Sequence, residues 1–109
     1  MAKVFKLKPE EFKDIAVGYG SCLATDMITV HGKQVGYMYR EEPSDEFDSG
    51  WCFMWGKESK KYMDDPANIE IYDVNTIANY SPDITEFIAA PYGSAFERNS
   101  KGKLVEIES

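Results

Sequence analysis

The chain of 109 residues carries 12 basic and 19 acidic residues, which gives a formal net charge of −7 at pH 7. This balance argues against a nucleic-acid-binding protein, which needs a basic surface to neutralise phosphates, and no apolar run reaches the ~18–20 residues of a membrane span. Hydrophobic residues make up 43% of the chain, enough to fold, and we predict a single domain over residues 1–109.

The first residues lack the apolar stretch of a signal peptide, so we expect a cytoplasmic protein. Cys22 and Cys52 are then expected to be reduced thiols that pack as small core side chains. The single histidine, His31, has no CxxC pair nearby, so the sequence predicts no metal site, and nothing in it indicates a cofactor.

The first part of the chain predicts a strand, a helix and a hairpin. Val4–Leu7 predicts a short strand or an extended entry to the fold, and Pro9–Ala16 predicts a helix because its apolar residues recur on one face. Ser21–Arg40 is β in character, and His31-Gly32 near its centre predicts the tight turn of a hairpin.

An acidic segment and an apolar segment follow each other in the middle of the chain. Glu41–Asp48 contains five acidic residues and no basic residue, which is typical of a solvated loop. Ser49–Gly56 is apolar on both faces of an extended chain, which predicts a strand at the centre of a sheet.

The second half predicts several further short elements. They are a helix over Glu58–Asp65, a strand over Ile69–Tyr72, a helix over Val74–Tyr80 with Asp73 as its N-cap, a helix opened by Ser81-Pro82, and a terminal hairpin of Ser94–Arg98 and Lys103–Ile107. The whole order predicts an α+β domain, a mostly antiparallel sheet with three to four short helices packed on it.

Several ordered blocks of the chain resemble one known family, the bacterial immunity-protein family number thirty-three, formerly a domain of unknown function. The blocks span about residues 20–107 and comprise Cys22–Asp26, Gly36–Pro43, Asp48–Phe53, Tyr62–Asp65, Ile71–Ala78, Pro82–Ile84 and Gly93–Arg98. The family pattern around Gly50, Trp51 and Phe53 is matched, whereas Trp55 stands where the family more usually has a small residue.

The resemblance implies an α+β fold and a role in binding and neutralising a toxin, and it brings no set of catalytic residues. It favours a non-enzymatic protein that blocks a basic toxin or enzyme by occlusion. An acidic loop would steer such a partner, and exposed aromatic side chains would anchor it. The residues predicted to contact the partner are Glu41, Glu42, Asp45, Glu46, Asp48, Trp51, Trp55, Glu58 and Tyr62.

Two other functions stay open at this point. Asp73, Asn75 and Arg98 are polar residues in the ordered blocks, and they could converge on a pocket for a small ligand or an enzymatic reaction, with Arg98 as an anion clamp. The alternative for Arg98 is an ion pair at the end of a strand. A homodimer formed through an edge strand is the third hypothesis, and the sequence leaves the oligomeric state undetermined.

Overall fold

The computed structural model describes residues 4–107, which contain six strands, three α-helices and three 3-10 turns. The strands are β1 (Ser21–Thr25), β2 (Tyr37–Arg40), β3 (Asp48–Met54), β4 (Ile69–Asp73), β5 (Ala95–Arg98) and β6 (Leu104–Ile107). The helices are α1 (Asp26–Thr29), α2 (Lys60–Met63) and α3 (Val74–Tyr80), and the 3-10 turns are Pro9–Glu11, Pro66–Asn68 and Pro82–Glu86.

All six strands form one sheet in the order β4-β1-β3-β2-β5-β6. The β1–β3 pair is parallel and the other four pairs are antiparallel. The predicted α+β class with a mostly antiparallel sheet is therefore confirmed. The apolar segment after the acidic residues forms β3, third of the six strands, which agrees with its predicted central position.

The core lies between one face of the sheet and the segment that contains α3 and the following 3-10 turn. Trp51 and Phe53 of β3 stack with ring centroids 5.8 Å apart, and both are buried. Ile77 of α3 and Ile84 of the 3-10 turn are fully buried in the same cluster. Burial of these large side chains stabilises the fold by roughly 1.5–3 kcal/mol each.

The predicted N-terminal helix is wrong, and so is the strand alternative for the segment before it. Val4–Leu7 lies outside the sheet, and the helix expected over Pro9–Ala16 is reduced to the 3-10 turn Pro9–Glu11. The backbone N–H groups of Ile15 and Ala16 donate to the side chain of Asn75 instead of to helical carbonyls. The segment is thus held by α3 and not by its own helical bonds, which a short helix supplies only weakly.

The predicted hairpin at His31-Gly32 is also wrong. The chain forms α1 just before these residues, and after the helix the Gly32 N–H donates to the carbonyl of Ile28 at 3.0 Å. The helix buries Ile28 and Thr29 completely, and the Thr29 hydroxyl lies 3.1 Å from the hydroxyl of Tyr72. Tertiary burial therefore overrides the β-propensity of these β-branched residues.

The second half follows the sequence more closely. The predicted strand and helix appear as β4 and α3, and the Asp73 carboxylate caps α3 by accepting from the Asn75 N–H at 2.9 Å. The terminal hairpin appears as β5 and β6. The helix expected after Ser81 is the shorter 3-10 turn, and the Ser81 side chain does not cap it. Within the described range, no helix has the length and apolar character required to span a bilayer.

Candidate functional site

The sheet face opposite the core carries a row of apolar side chains. Paired residues on neighbouring strands point to the same side, so the strand registers place one residue of each strand in a single row across this face. We call this the open-face row, and its members in sheet order are Ile71, Leu23, Cys52, Tyr39, Ala95 and Ile107. All six are apolar or aromatic, and Ile71 is 72% exposed while Leu23 is 41% exposed. The row is therefore a continuous apolar strip that is open to solvent at its Ile71 end.

The acidic loop, residues 41–48, joins β2 to β3 at one end of this face. Two of its carboxylates hold the loop together. Asp45 Oδ1 accepts from the N–H groups of Phe47 and Asp48 at 2.8 and 3.0 Å. Asp48 accepts from the Ser44 N–H at 3.0 Å and from the Gly50 N–H at 2.8 Å. These hydrogen bonds from Ser44 and Gly50 hold the pKa of Asp48 below its ordinary value, so it is a carboxylate at neutral pH.

The other three acidic residues of the loop project into solvent. Glu41, Glu42 and Glu46 are exposed, and their carboxylates form no hydrogen bond or ion pair with a residue of the described range. Their negative charges are therefore available to an approaching molecule and are not neutralised within the fold.

A depression of about 240 Å³ lies where the acidic loop meets the open-face row. Its lining includes Leu23, Ile71 and Cys52 from the row and Glu41, Glu42, Asp45 and Asp48 from the loop. The depression lies at a register shift between β1 and β3, in which Ser21 pairs with Asp48 but Leu23 already pairs with Cys52. Two extra residues of β3 are accommodated there, and such irregularities bend a strand locally.

Gly50 lines this depression and permits a close approach between its own backbone and that of Glu41. Its φ is +84°, and a Cβ at this position would overlap the carbonyl oxygen of Glu41. Only glycine adopts this conformation without strain. The glycine that precedes Trp51 in the sequence thus shapes the rim of the depression.

The other predicted partner-binding residues lie elsewhere. Trp51 is 1% exposed and donates from Nε1 to the carbonyl of Ile88 at 3.0 Å, so its assignment to a partner surface is corrected to a core role. Trp55 follows the C-terminal end of β3, about seven strand residues and ~20 Å from the acidic loop. Its ring is half-buried between the ammonium groups of Lys33 and Lys57, at 5.3 and 5.7 Å from the ring centroid.

Glu58 and Tyr62 lie at the same end as Trp55. The Glu58 carboxylate accepts from the N–H groups of Trp55 and Gly56, both at 2.7 Å, and from the Thr25 hydroxyl at 2.6 Å. This carboxylate therefore holds the loop after β3 in place and joins that loop to β1. Tyr62 is half-buried in α2, and its carbonyl accepts from the side chain of Asn68 at 2.9 Å. The structure thus divides the predicted set between opposite ends of the sheet.

Asp73, Asn75 and Arg98 do not converge on one pocket. Asp73 lies on β4 and Arg98 on β5, and three strands separate β4 from β5 in the sheet. At ~4.8 Å per strand, the two backbones are roughly 19 Å apart. Asn75 faces the N-terminal segment, where its side-chain oxygen accepts hydrogen bonds from the N–H groups of Ile15 and Ala16.

Arg98 is fully engaged inside the fold. Its guanidinium donates to the carbonyl of Val35 at 2.7 Å, to Asp83 Oδ2 at 2.7 Å and to the carbonyl of Gly102 at 2.8 Å. Burial alone would raise the pKa of Asp83, but the hydrogen bonds from Arg98 and Ser81 and the charge of Arg98 outweigh it and lower that pKa. Arg98 therefore forms an ion pair with Asp83, which is the predicted alternative to an anion clamp.

Both cysteines are free and buried. Burial raises the pKa of the Cys22 thiol, and the nearby Asp73 carboxylate adds to the effect. Burial also raises the pKa of Cys52. Neither thiol is therefore a thiolate at neutral pH, and both serve as small packing side chains within the sheet.

Sequence reasoning missed three exposed apolar residues, one within the acidic loop and two beside it. Phe47 is 72% exposed, as is Ile71, and Leu23 is 41% exposed. Phe47 was detectable, because an aromatic residue between Glu46 and Asp48 has no apolar neighbour in sequence to pack with. The exposure of Leu23 and Ile71 was not detectable, because apolar residues in a strand predict burial as readily as exposure.

Comparison with known proteins identifies the chain at the level of its family. Residues 22–108 match the family model described as Immunity protein Imm33 domain. The resemblance inferred from the ordered sequence blocks is thereby confirmed, over nearly the same range. Searches of curated proteins and of solved structures gave no significant match.

Proposed function

The chain belongs to the Imm33 immunity-protein family, and from that premise we propose that it is a non-enzymatic protein that binds a cognate toxin and blocks it by occlusion. The partner we propose is a basic protein. The contact surface includes the acidic loop, with Glu41, Glu42 and Glu46 as its free charges and with Asp45 and Asp48 as the residues that hold its shape.

The observation that carries the proposal is the position of these free carboxylates beside exposed apolar side chains. Concentrated negative charge accelerates the encounter with a basic protein and disfavours acidic competitors. Charge alone gives little affinity, because the stable part of an interface is a desolvated apolar or aromatic contact. The acidic loop supplies the first property, and Phe47 and the exposed end of the open-face row supply the second.

Two further features support the proposal. The residues suggested for a small-ligand pocket, Asp73, Asn75 and Arg98, each form hydrogen bonds within the local structure, which favours the binding protein over the small-ligand alternative. The two free, buried thiols suit a reducing compartment, and a cytoplasmic location is part of the proposal.

The test is capture of the partner with a matched pair of variants. The loop variant E41Q/E42Q/E46Q removes three charges beside the open face, and the control E10Q/E86Q/E106Q removes three exposed charges elsewhere. The tagged wild-type chain is expected to retain a basic protein at low salt and to inhibit that protein's activity at a one-to-one ratio. The loop variant is expected to associate with it roughly tenfold more slowly, and the control at the wild-type rate.

Either of two results would contradict the proposal. The first is that no protein inhibited by the chain is retained at any salt concentration. The second is that the captured protein associates with the loop variant and with the wild-type chain at the same rate and with the same salt dependence.

A further inference from the structure

We propose that the depression between the acidic loop and the open-face row receives one lysine or arginine side chain of the partner protein. This inference rests on the proposed function and adds to it the chemistry of the central contact. A basic side chain is long enough to lay an apolar stem on the floor of the depression and to bring its charged end to the rim.

The floor of the depression is apolar, and two of its side chains are accessible. Leu23 and Ile71 pair across β1 and β4, so their side chains lie next to each other on the open face. Cys52 continues the floor from β3, opposite Leu23. Since Ile71 is 72% exposed and Leu23 is 41% exposed, covering them with a methylene stem removes apolar surface from water.

The rim of the depression is acidic and has no internal counter-charge. Four carboxylates line it, and none of its described lining residues is lysine, arginine or histidine. They are Glu41, Glu42, Asp45 and Asp48. The hydrogen bonds that lower the pKa of Asp48 keep that carboxylate ionised, so the rim stays negative at neutral pH.

The one basic residue next to the loop in sequence is turned away from the depression. Arg40 donates from Nε to the carbonyl of Ser49 at 2.9 Å and from Nη1 to the carbonyl of Ala90 at 2.7 Å. Its guanidinium also lies 4.6 Å from the ring centroid of Tyr92. Arg40 is therefore used within the fold, and the positive charge that complements the rim has to come from outside.

Two kinds of protein could cover this face, a second copy of the chain or a basic partner, and charge favours the basic partner. A second copy of the chain would bring another net charge of −7 and a second acidic loop to the interface. Like charges placed together disfavour that arrangement. A basic partner has the opposite sign and gains both the electrostatic and the apolar contact.

The inference is first tested on the isolated full-length chain with small probes. The probes are N-acetyl-lysine methylamide and N-acetyl-norleucine methylamide, which share an apolar stem but differ in charge. In an NMR titration of backbone amides, up to roughly 50 mM because single side chains bind weakly, the lysine probe is expected to shift Leu23, Asp48 and Ile71 saturably. The norleucine probe is expected to shift them several-fold less. Equal shifts from both probes, or lysine-induced shifts no larger there than at Glu10 and Glu86, would overturn the inference.

The second test uses the captured partner and the variant Ile71→Lys. A lysine at this exposed position supplies its own charge to the depression and competes with the partner's side chain. The variant is expected to bind the partner about tenfold more weakly, whereas the control Val17→Lys, at another exposed apolar residue, is expected to bind normally. Circular dichroism checks that both variants are folded.

The outcomes separate this inference from the proposed function. If Ile71→Lys binds the inhibited partner as tightly as the wild-type chain does, the depression is not the contact, and the proposed function still holds. If no partner is captured, the proposed function fails, and the probe titration alone decides the chemistry of the depression. A dimer of the wild-type chain that Ile71→Lys dissociates would overturn the inference in favour of a second copy.

Discussion

The backbone N–H of Glu41 donates a hydrogen bond to the carbonyl oxygen of Gly50 at 2.9 Å. This bond joins the two chain segments at the base of the acidic loop. The Arg40 side chain adds a second link at the same level, through its bond to the carbonyl of Ser49. The acidic loop is thus a shaped structure on a closed base, and the backbone positions that carry its charges are defined before a partner arrives. Such preorganisation lowers the entropy cost of binding.

The closed base depends on the absence of a side chain at residue 50. We expect Gly50→Ala to lower the free energy of unfolding by about 3 kcal/mol, because it combines a positive φ with an overlap against Glu41. Gly102→Ala is the matched control, since Gly102 has φ +79° but a Cβ there would meet no atom within 4 Å; it is expected to lose only about 1 kcal/mol. Urea unfolding of both variants measures the difference, and equal losses would show that the close approach is unimportant.

The hydrogen bonds to Asp48 predict a specific pH dependence. The pKa of Asp48 is lowered in the fold from its ordinary value of 3.8 by bonds from Ser44 and Gly50. Its contribution to stability is therefore complete above the unfolded-state pKa and is lost as the pH falls through the folded-state pKa. We expect Asp48→Asn to lower the free energy of unfolding by roughly 1 kcal/mol at pH 7.

The difference between this variant and the wild-type chain should shrink as the pH falls below the unfolded-state value of about 4 and through the lower folded-state pKa of Asp48, because protonation removes the charge that the variant lacks. Urea titrations at pH 7 and at pH 3 test this. Glu46→Gln serves as the control, because Glu46 is exposed and its carboxylate bonds no described residue. A constant difference between Asp48→Asn and the wild-type chain across this range would show that the carboxylate charge is not what holds the loop.

Arg98 is expected to matter for stability and not for binding. Arg98→Ala leaves the Val35 carbonyl without its donor and removes the ion pair to Asp83, which keeps the hydrogen bond from Ser81, and we expect the free energy of unfolding to fall by about 2–3 kcal/mol. Lys101→Ala, at an exposed neighbouring residue, should change it by less than about 0.5 kcal/mol. Unfolding curves and partner affinity are both measured. Weaker binding with unchanged stability would restore Arg98 as a ligand clamp.

Asn75 is expected to hold the N-terminal segment onto α3. Its Oδ1 accepts from the N–H groups of Ile15 and Ala16 at 2.7 and 2.8 Å, and its Nδ2 donates to the carbonyl of Lys13 at 3.0 Å. We expect Asn75→Ala to increase hydrogen exchange at Ile15 and Ala16 and to lower stability by about 1–3 kcal/mol. Thr76→Ala, one residue further along α3, is the control. Unchanged exchange at both amides would show that other contacts hold the segment.

The success of sequence-based prediction varied along the chain for a physical reason. Elements with a local signal were recovered: Asp73 caps α3 with its own side chain, and the turn after Arg98 joins β5 to β6. Elements that depend on contacts with distant parts of the chain were not predicted correctly. Ile28 is helical because α1 packs against α3, and no pattern within Ser21–Arg40 contains that information.

The candidate site shows the same division. The acidic loop was evident from Glu41–Asp48 alone, because charge concentrated in one segment is visible in any linear chain. The exposure of Ile71 and the burial of Trp51 were not evident, because both residues lie in apolar strand sequences. Which face of a strand is covered depends on what packs against it.

The sequence by itself therefore determined the α+β class, the family and the acidic character of one loop, since these follow from composition, local periodicity and ordered motifs. Only the tertiary structure decided that the loop stands beside an apolar strip and that a depression lies between them. The parallel pairing of β1 with β3, its register shift and the positive φ of Gly50 all lie at that place. Strand pairing joins residues far apart in the chain, and a shift of even one residue would exchange the faces of a strand.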